Sequence, residues 1–253
     1  AVPSKGEPNF DYSAERLGLG EDSTAEDVAE IAVESPFDYL RTAFVVPKWT
    51  SLPTEPCFDA DVCEALVQLC DVTGGAVLGL FTSYRVMTKA VEVLRKQRPK
   101  LTVFAQGEAP RTELVRRFRA DRDSVLLGTD SFWEGVDVPG ESCVAVLIDR
   151  IPFDHFDDPV LDAIKQRDKN WFRNAYLPKA VLAFKQGIGR LIRSKDDYGL
   201  IVCCDRRITD SGYGAKFLRA VPNDTVRARD LDEAGRLLEK FRAMKSRPNE
   251  ERK

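Results

Sequence analysis

Two arginines and a glutamine are spaced so that they would share one face of a helix. Gln186, Arg190 and Arg193 occupy positions i, i+4 and i+7 of a predicted helix that begins at residue 178 and continues through Arg193. Two guanidiniums neutralise the charge that spreads over a transferring γ-phosphate, with a bidentate geometry that lysine lacks. The spacing therefore predicts an arginine pair directed at a phosphate, and an ordinary polar helix face is the alternative.

Two glycines share a turn of the same predicted helix. Gly187 and Gly189 each cost a helix roughly 1 kcal/mol relative to alanine, so helix propensity does not account for them. Close approach of a phosphate or of another backbone would explain both, which makes Gly189 a candidate nucleotide-binding residue. The pair is not a dinucleotide-binding fingerprint, because it lies late in a helix and lacks the third glycine.

A polar and aromatic segment, residues 128–140, directly follows an apolar run. Loops at the carboxyl ends of parallel strands are where α/β sheets bind ligands. The hydroxyls of Thr129 and Ser131, with backbone N–H groups beside the glycines, are suited to phosphate oxygens. Phe132 and Trp133 are candidates for stacking on a base, although core packing is the expected fate of at least one of them.

The third candidate segment is a predicted strand end that runs into a helix N-terminus, residues 81–84. Helix N-termini bind phosphate groups through their unpaired backbone N–H groups. Thr82, Ser83 and Tyr84 are therefore candidate phosphate contacts. An ordinary threonine or serine N-cap explains the segment equally well.

Short apolar runs alternate along the chain with segments of helical period. The runs span residues 42–46, 76–81, 101–104, 124–127, 143–148 and 200–203, and the helical segments include 61–71, 84–96, 112–120 and 231–244. Because the runs are almost continuously apolar, both faces of each strand should be buried. We therefore predict an α/β fold with a mostly parallel sheet of about six strands, helices on both faces, and the three candidate segments at one edge.

The net charge of −3 conceals an uneven distribution of charged residues. Residues 1–64 carry 14 acidic and 4 basic side chains, a balance of −10. Residues 84–122 carry 11 basic and 4 acidic side chains, a balance of +7. The basic stretch is a candidate phosphate-facing surface, and a pair of solvated helices is the alternative.

The three segments resemble, in order and spacing, the fourth, fifth and sixth motifs of the DinG/XPD group of superfamily-two helicases. They are LGLFTSY (78–84), LLGTDSFWEGVDVPG (126–140), and QGIGRLIRS (186–194) followed by DYGLIVCCDRR (197–207). The resemblance extends to Gln106-Gly107, covers roughly residues 35–220, and is closer to bacterial DinG-like proteins than to XPD. It implies a RecA-like domain, the second motor lobe of a helicase.

The resemblance also implies roles for individual residues. Gln186, Arg190 and Arg193 would reach ATP bound on a partner lobe, with the arginines acting as fingers. Gly135 and Asp137, together with Glu134, would lie on the nucleotide side of the cleft, and Gly189 joins them as the candidate that the glycine pair supplies. The residues that hold single-stranded DNA by its phosphates would be Thr82, Ser83 and Thr129. Tyr84, Ser131, Phe132 and Trp133, from the same two segments, are further candidates for binding nucleic acid. The activity of the group is ATP-driven DNA unwinding, usually 5′ to 3′, in DNA repair and replication.

No Gly-x4-Gly-Lys-Ser/Thr loop occurs in the sequence, so this chain lacks a cradle for the α- and β-phosphates. If the resemblance holds, ATP and Mg²⁺ are held mainly by an N-terminal lobe, and this chain alone is inactive. The expected partners are that lobe and single-stranded DNA. None of the six cysteines forms a CxxC pair, so we expect no metal site and no iron–sulfur cluster in this chain.

The expected domain organisation has three parts. Residues 1–34 form an acidic linker or helix, 35–222 the RecA-like C-terminal helicase domain, and 223–253 a C-terminal helix with a charged tail. No apolar run of about 18 residues or secretory signal is present, so we expect a cytoplasmic, nucleoid-associated protein without a membrane partner.

Two other classes of function remain open at this point. A stand-alone RecA-like module that binds nucleic acid or regulates another protein would never turn over ATP, and would have no need of Arg190 and Arg193. An independent α/β hydrolase or oxidoreductase would need a nucleophile elbow, a metal cluster or a dinucleotide loop, and the sequence has none of these.

Overall fold

The predicted strands assemble into one parallel sheet in the computed structural model. The structure describes residues 2–3, 8–18, 31, 33, 37, 39–133, 138, 140–155, 157–194 and 196–245. The strands of these residues are β1 (Val2–Pro3), β2 (Pro8–Asn9), β3 (Thr42–Val45), β4 (Val77–Leu80), β5 (Thr102–Ala105), β6 (Ser124–Gly128), β7 (Ala145–Ile148), β8 (Gly199–Cys203) and β9 (Val226–Arg227). The α-helices of these residues are α1 (Asp11–Arg16), α2 (Phe58–Thr73), α3 (Tyr84–Gln97), α4 (Arg111–Ala120), α5 (Pro159–Arg167), α6 (Leu177–Ile188), α7 (Arg207–Asp210), α8 (Gly214–Ala220) and α9 (Leu231–Lys245).

Within the described ranges, seven strands form the main sheet in the order β5-β6-β4-β7-β8-β3-β9, and β1 pairs with β2 in a separate antiparallel ribbon. Every pairing in the main sheet is parallel. All residues of β3, β4, β6, β7 and β8 are buried, which is the reason for their unbroken apolar runs. The predicted α/β class, with a mostly parallel sheet, is confirmed.

Helices cover both faces of the sheet. Side chains of α2, α3 and α9 pack on one face in a core cluster that includes Leu66, Met87 and Phe241. Side chains of α4, α6 and α8 pack on the other face in a second cluster that includes Phe118 and Phe184. Each helix returns the chain from the carboxyl edge of the sheet to its amino edge, so the loops that follow the strands converge on one edge.

The fold contains several elements that were not predicted, among them the β1–β2 ribbon, α1, α7 and α8. The segment between β7 and α6 contains α5, whose N-cap Asp158 accepts a hydrogen bond from the Val160 N–H, and one π-helical turn, Phe172–Tyr176. The seventh strand, β9, has only two residues and pairs with β3 at the sheet edge. A two-residue strand is too short to show a period in the sequence.

The predicted C-terminal helix, α9, packs into the first core cluster through Leu231, Ala234, Leu238 and Phe241. Much of the predicted acidic segment 1–34 lies outside the described residues. Five of the six cysteines are buried, and Cys57 is exposed. None of the described helices is long and apolar enough to cross a membrane.

Candidate functional site

The three candidate segments meet at the carboxyl edge of the sheet. The indole N–H of Trp133, in the loop after β6, donates to the carbonyl oxygen of Phe81, which follows β4, at 3.1 Å. The carbonyl oxygen of Trp133 in turn accepts from Nε of Arg190, after α6, at 3.0 Å. One residue therefore joins all three segments, and the prediction that they share one edge is confirmed.

Gly187 is explained by Trp133. A β-carbon on Gly187 would lie 2.8 Å from Cζ3 of the indole, closer than real β-carbons approach, and 3.3 Å from a methyl group of Leu80. A glycine is required here because α6 lies directly against the indole ring. The expectation that a phosphate or another backbone approaches Gly187 was therefore wrong.

Phe132 and Trp133 are core residues. Phe132 is 1% exposed and Trp133 is 6% exposed. The ring of Phe132 lies against Gly128, where a β-carbon would be 2.2 Å from its Cγ atom. Neither ring offers a face to a base in this structure, so base stacking by these two residues, one of the sequence-based expectations, is corrected to packing.

The predicted helix ends earlier than expected, and this corrects the helical spacing of the three polar residues. α6 ends at Ile188, where the Gly189 N–H donates to the Lys185 carbonyl oxygen and the Arg190 N–H to that of Gly187. The tighter turn after Ile188 breaks the 3.6-residue period, so the i, i+7 relation of Gln186 and Arg193 does not hold. Gln186 is exposed on the last turn of α6, and both arginines are half-buried.

A buried carboxylate, Asp197, holds the backbone at Arg193. Its Oδ2 accepts from the N–H groups of Arg193 and Ser194, each at 2.8 Å. Its Oδ1 accepts from the Ser194 hydroxyl at 2.8 Å and from the Gly140 N–H at 3.1 Å. Asp197 is 4% exposed. It therefore ties the end of the loop after β6 to the segment that carries Arg193, a connection that no sequence spacing shows.

Another buried carboxylate, Asp149, holds Thr82. Asp149 directly follows β7, and its carboxylate accepts from the Thr82 N–H at 2.9 Å and from the Thr82 hydroxyl at 3.2 Å. The Arg150 N–H donates to the same carboxylate at 2.7 Å. Both donors of Thr82 are thus engaged inside the protein, whereas the hydroxyl of the neighbouring Ser83 makes no capping hydrogen bond to α3.

Burial raises the pKa of the Asp149 carboxyl from 3.8 to about 7, and the neighbouring Arg150 guanidinium offsets only part of this effect. Between these two pKa values the folded state binds a proton that the unfolded state has lost. The free energy of unfolding therefore falls as the pH rises from about 4 to about 7 through this group.

We expect Asp149→Asn to remove this pH dependence. Relative to the variant, the original chain should lose about 1 to 4 kcal/mol of unfolding free energy between pH 4 and pH 8. Asparagine keeps an acceptor for the Thr82 and Arg150 N–H groups, so the fold should persist. Urea unfolding of both proteins at several pH values measures the difference, and parallel pH profiles would contradict the burial argument.

Gln106, which follows β5, holds Thr129. Its side-chain Oε1 accepts from the Thr129 N–H at 2.6 Å and from the Thr129 hydroxyl at 3.0 Å. Its main-chain oxygen accepts from the Tyr84 hydroxyl at 3.2 Å, and Tyr84 is 55% exposed. The loops after β4, β5 and β6 are therefore connected through one glutamine.

Ser131 is exposed beside this network, and its carbonyl oxygen accepts from Nη1 of Arg111 at 2.7 Å. Arg111 begins α4 and places a guanidinium at the carboxyl edge of the sheet. Glu134, Gly135 and Asp137 lie outside the described residues. Among the described residues no group of three or more histidine, cysteine, aspartate or glutamate side chains is placed to hold a metal ion.

Much of the basic stretch 84–122 is neutralised by ion pairs. Six of its arginines contact carboxylates among the described residues, in the pairs Arg85–Asp59, Arg95–Glu108, Arg98–Asp71, Arg116–Glu113, Arg117–Glu113 and Arg122–Glu141. Three of these carboxylates come from outside the stretch. The balance of +7 therefore overstates the charge available to a phosphate, although exposed pairs are worth only about 0 to 1 kcal/mol and are readily exchanged.

Sequence reasoning assigned no role to Asp149 or Asp197, and it noted Gln106 only as part of a resemblance. Each follows a strand end or closes a loop, and a lone polar residue directly after an apolar run was the available signal. Gln106 is 23 residues from its partner Thr129 in the sequence, and Asp149 is 67 residues from its partner Thr82, so only the fold identifies these pairs.

Residues 66–224, more than half of the chain, match the family described as helicase C-terminal domain. The chain is 36% identical to the ATP-dependent DNA helicase YoaA of Escherichia coli over 228 residues, which cover 88% of the chain and 35% of YoaA. It is also 36% identical to the ATP-dependent helicase DinG of Mycobacterium tuberculosis over 218 residues, which cover 84% of the chain and 32% of DinG. The chain thus spans about a third of the length of these relatives.

A solved XPD helicase has a similar fold. The two structures superpose with a TM-score of 0.55 at 21% identity, over 74% of this chain and 35% of the XPD chain. At this level of identity the likeness concerns the fold alone.

Proposed function

Since the chain belongs to the helicase C-terminal domain family, we propose that it is the C-terminal motor lobe of an ATP-dependent DNA helicase of the DinG type. The lobe supplies Arg190 and Arg193 to ATP on an N-terminal lobe, and grips single-stranded DNA by its phosphates. The hydrogen-bonded path from Phe81 through Trp133 to Arg190 is the observation that carries the proposal, because it joins the strand-gripping segment to the arginine segment.

In this proposal the nucleotide is shared between two lobes. ATP and Mg²⁺ are held mainly by the N-terminal lobe, and Gln186 and Gly189, with Glu134, Gly135 and Asp137, complete the site from this side. Arg190 and Arg193 supply positive charge to the γ-phosphate as it transfers, which lowers the barrier without covalent chemistry by the protein. Asp197 fixes the main chain at Arg193, so the side chain extends from a fixed point of the backbone.

The strand-gripping site uses neutral donors. Ser83 stands at the N-terminus of α3, where unpaired backbone N–H groups attract a phosphate. Ser131 is exposed at the same edge of the sheet, and Tyr84 and Thr129 border it with their own hydroxyls hydrogen-bonded to Gln106. Such contacts hold the sugar–phosphate backbone and read no base sequence. The direction of movement we propose is 5′ to 3′, as in the group that the motifs resemble, and the cellular setting is DNA repair or replication.

We expect this chain alone to bind single-stranded DNA weakly and to hydrolyse no ATP. The arginines of the basic stretch 84–122 supply the positive charge, since their exposed ion pairs with carboxylates are weak and can be exchanged for phosphates. With two to three phosphates neutralised by these arginines, the affinity should fall about tenfold between 50 and 200 mM salt, because bound counterions are released on binding. Fluorescence anisotropy with a labelled oligonucleotide at several salt concentrations measures the affinity, and phosphate release measures turnover.

The same experiment addresses the second candidate function, a stand-alone RecA-like module that regulates another protein. Such a module, whether it also binds nucleic acid or only regulates a partner, would show no gain in ATP turnover when an N-terminal lobe is present in the same protein. An affinity that does not change between the two salt concentrations would contradict a phosphate-gripping lobe.

A further inference from the structure

Both donors of two expected phosphate contacts are used inside the protein. The N–H and hydroxyl of Thr82 donate to Asp149, and those of Thr129 donate to Gln106. A phosphate oxygen accepts hydrogen bonds and donates none, so it needs free donors. Of the two residues that hold these threonines, Asp149 and Gln106, only Gln106 has side-chain N–H groups that could donate to a phosphate.

Gln106 carries such donors. Its Oε1 accepts two hydrogen bonds from Thr129, which identifies the oxygen end of the side-chain amide and turns Nε2 away from Thr129. Among the described residues neither hydrogen of Nε2 has an acceptor, and Nε2 is not one of the buried polar atoms that lack a partner. Nε2 of the half-buried Gln106 is therefore in contact with solvent at the carboxyl edge of the sheet, with hydrogen-bonding capacity that the described residues do not use.

The side chain is also held in position. The Gln106 N–H donates to the Leu127 carbonyl oxygen at 2.9 Å, and its own carbonyl oxygen accepts from the Tyr84 hydroxyl. The backbone is thus fixed to β6 and to α3, while Oε1 is fixed to the loop after β6. A donor that is held before binding loses little entropy when it meets its ligand.

We propose that Gln106 is a nucleic-acid-binding residue whose amide Nε2 donates to a phosphate oxygen of the bound single strand while Oε1 keeps Thr129 in place. This inference rests on the proposed function, since it requires a single strand at this edge. A neutral amide contact of this kind adds to affinity without adding to the salt dependence, because it neutralises no charge.

The test is the substitution Gln106→Glu in this chain. The introduced carboxylate would keep an oxygen for both Thr129 donors and would point a second, negatively charged oxygen at the phosphate. The variant should therefore preserve the melting temperature and lower single-strand affinity about tenfold to 100-fold. Gln97→Glu is the matched control, because it changes the net charge by the same amount. Gln97 is exposed at the C-terminal end of α3, whereas Gln106 lies near Tyr84 at the N-terminal end of that helix. That control should change the affinity less than about threefold.

A scan with single methylphosphonate linkages locates the contact. At the one linkage whose phosphate contacts Gln106, the uncharged methylphosphonate should abolish most of the affinity loss caused by Gln106→Glu. At the other linkages the affinity loss should persist. Equal losses for the two glutamate variants, or a loss that is the same at every position of the scan, would overturn the inference and leave the proposed function standing. A wild-type chain that binds no single strand would overturn both.

Discussion

Replacing Arg193 by alanine in the protein that also carries the N-terminal lobe should lower DNA-stimulated ATP turnover by about 10³- to 10⁵-fold, with almost no change in melting temperature. An arginine that reaches the transferring phosphate stabilises charge that exists only in the transition state. We expect the half-buried Arg193 side chain to contribute little to folding, about 0 to 1 kcal/mol, as ion-pairing arginines near the surface do. The main-chain N–H that binds Asp197 is unaffected by the substitution.

Three further variants test whether the loss of turnover comes from the guanidinium of Arg193. Arg193→Lys keeps the charge and loses the bidentate fork, so it should recover only part of the turnover. Arg236→Ala removes an exposed arginine of α9 and should leave turnover unchanged. Arg190→Ala should also lose turnover, but with a loss of about 1 kcal/mol of unfolding free energy, because Nε of Arg190 donates to the Trp133 carbonyl oxygen.

The measurements are steady-state ATP hydrolysis with saturating single-stranded DNA and thermal melting of each variant. Near-normal turnover for both Arg190→Ala and Arg193→Ala would show that these arginines do not act on the transferring phosphate. A loss of turnover accompanied by a large fall in melting temperature would indicate that the two arginines have structural roles.

Replacing Trp133 by alanine should lower the free energy of unfolding by about 3 to 5 kcal/mol and the melting temperature by roughly 10 °C. The indole is 6% exposed, fills the space that Gly187 leaves open, and donates to the Phe81 carbonyl oxygen. Its removal opens a cavity at the point where the three motif segments meet, so the stability of the chain and the alignment of Arg190 should be lost together.

Two controls separate packing from stacking on a base. Trp133→Phe retains most of the ring volume and loses the Nε1 donor, so it should cost about 1 to 3 kcal/mol. Trp49→Ala removes an indole that is 44% exposed and should change stability by less than about 1 kcal/mol. Chemical unfolding and single-strand affinity are measured for each variant. An unchanged melting temperature with an affinity loss of tenfold or more for Trp133→Ala would restore the stacking interpretation.

Six of the seven strands of the main sheet, the fold class and the motif order follow from the sequence alone. Strands buried on both faces require continuous apolar runs, so residues 42–46, 76–81 and 124–127 identified β3, β4 and β6 to within about two residues at each end. Parallel strands connected by helices bring their carboxyl ends to one edge, which placed the three segments together before any contact was known. These features depend on local composition and on topology, which the order of residues encodes directly.

The partners of the polar side chains were decided by the tertiary structure. Gly187 faces Trp133, Thr82 is held by Asp149, Thr129 by Gln106, and the chain at Arg193 by Asp197. The end of α6 at Ile188 was also not evident from the sequence, because Leu191 and Ile192 continue the apolar pattern of a helix. In the structure these two residues lie in a loop whose backbone, at Arg193, donates a hydrogen bond to the buried carboxylate of Asp197. Hydrogen bonds between residues distant in the chain leave no period or spacing in the sequence. Whether a donor is free for a phosphate or already engaged is therefore settled only when the loops meet in three dimensions.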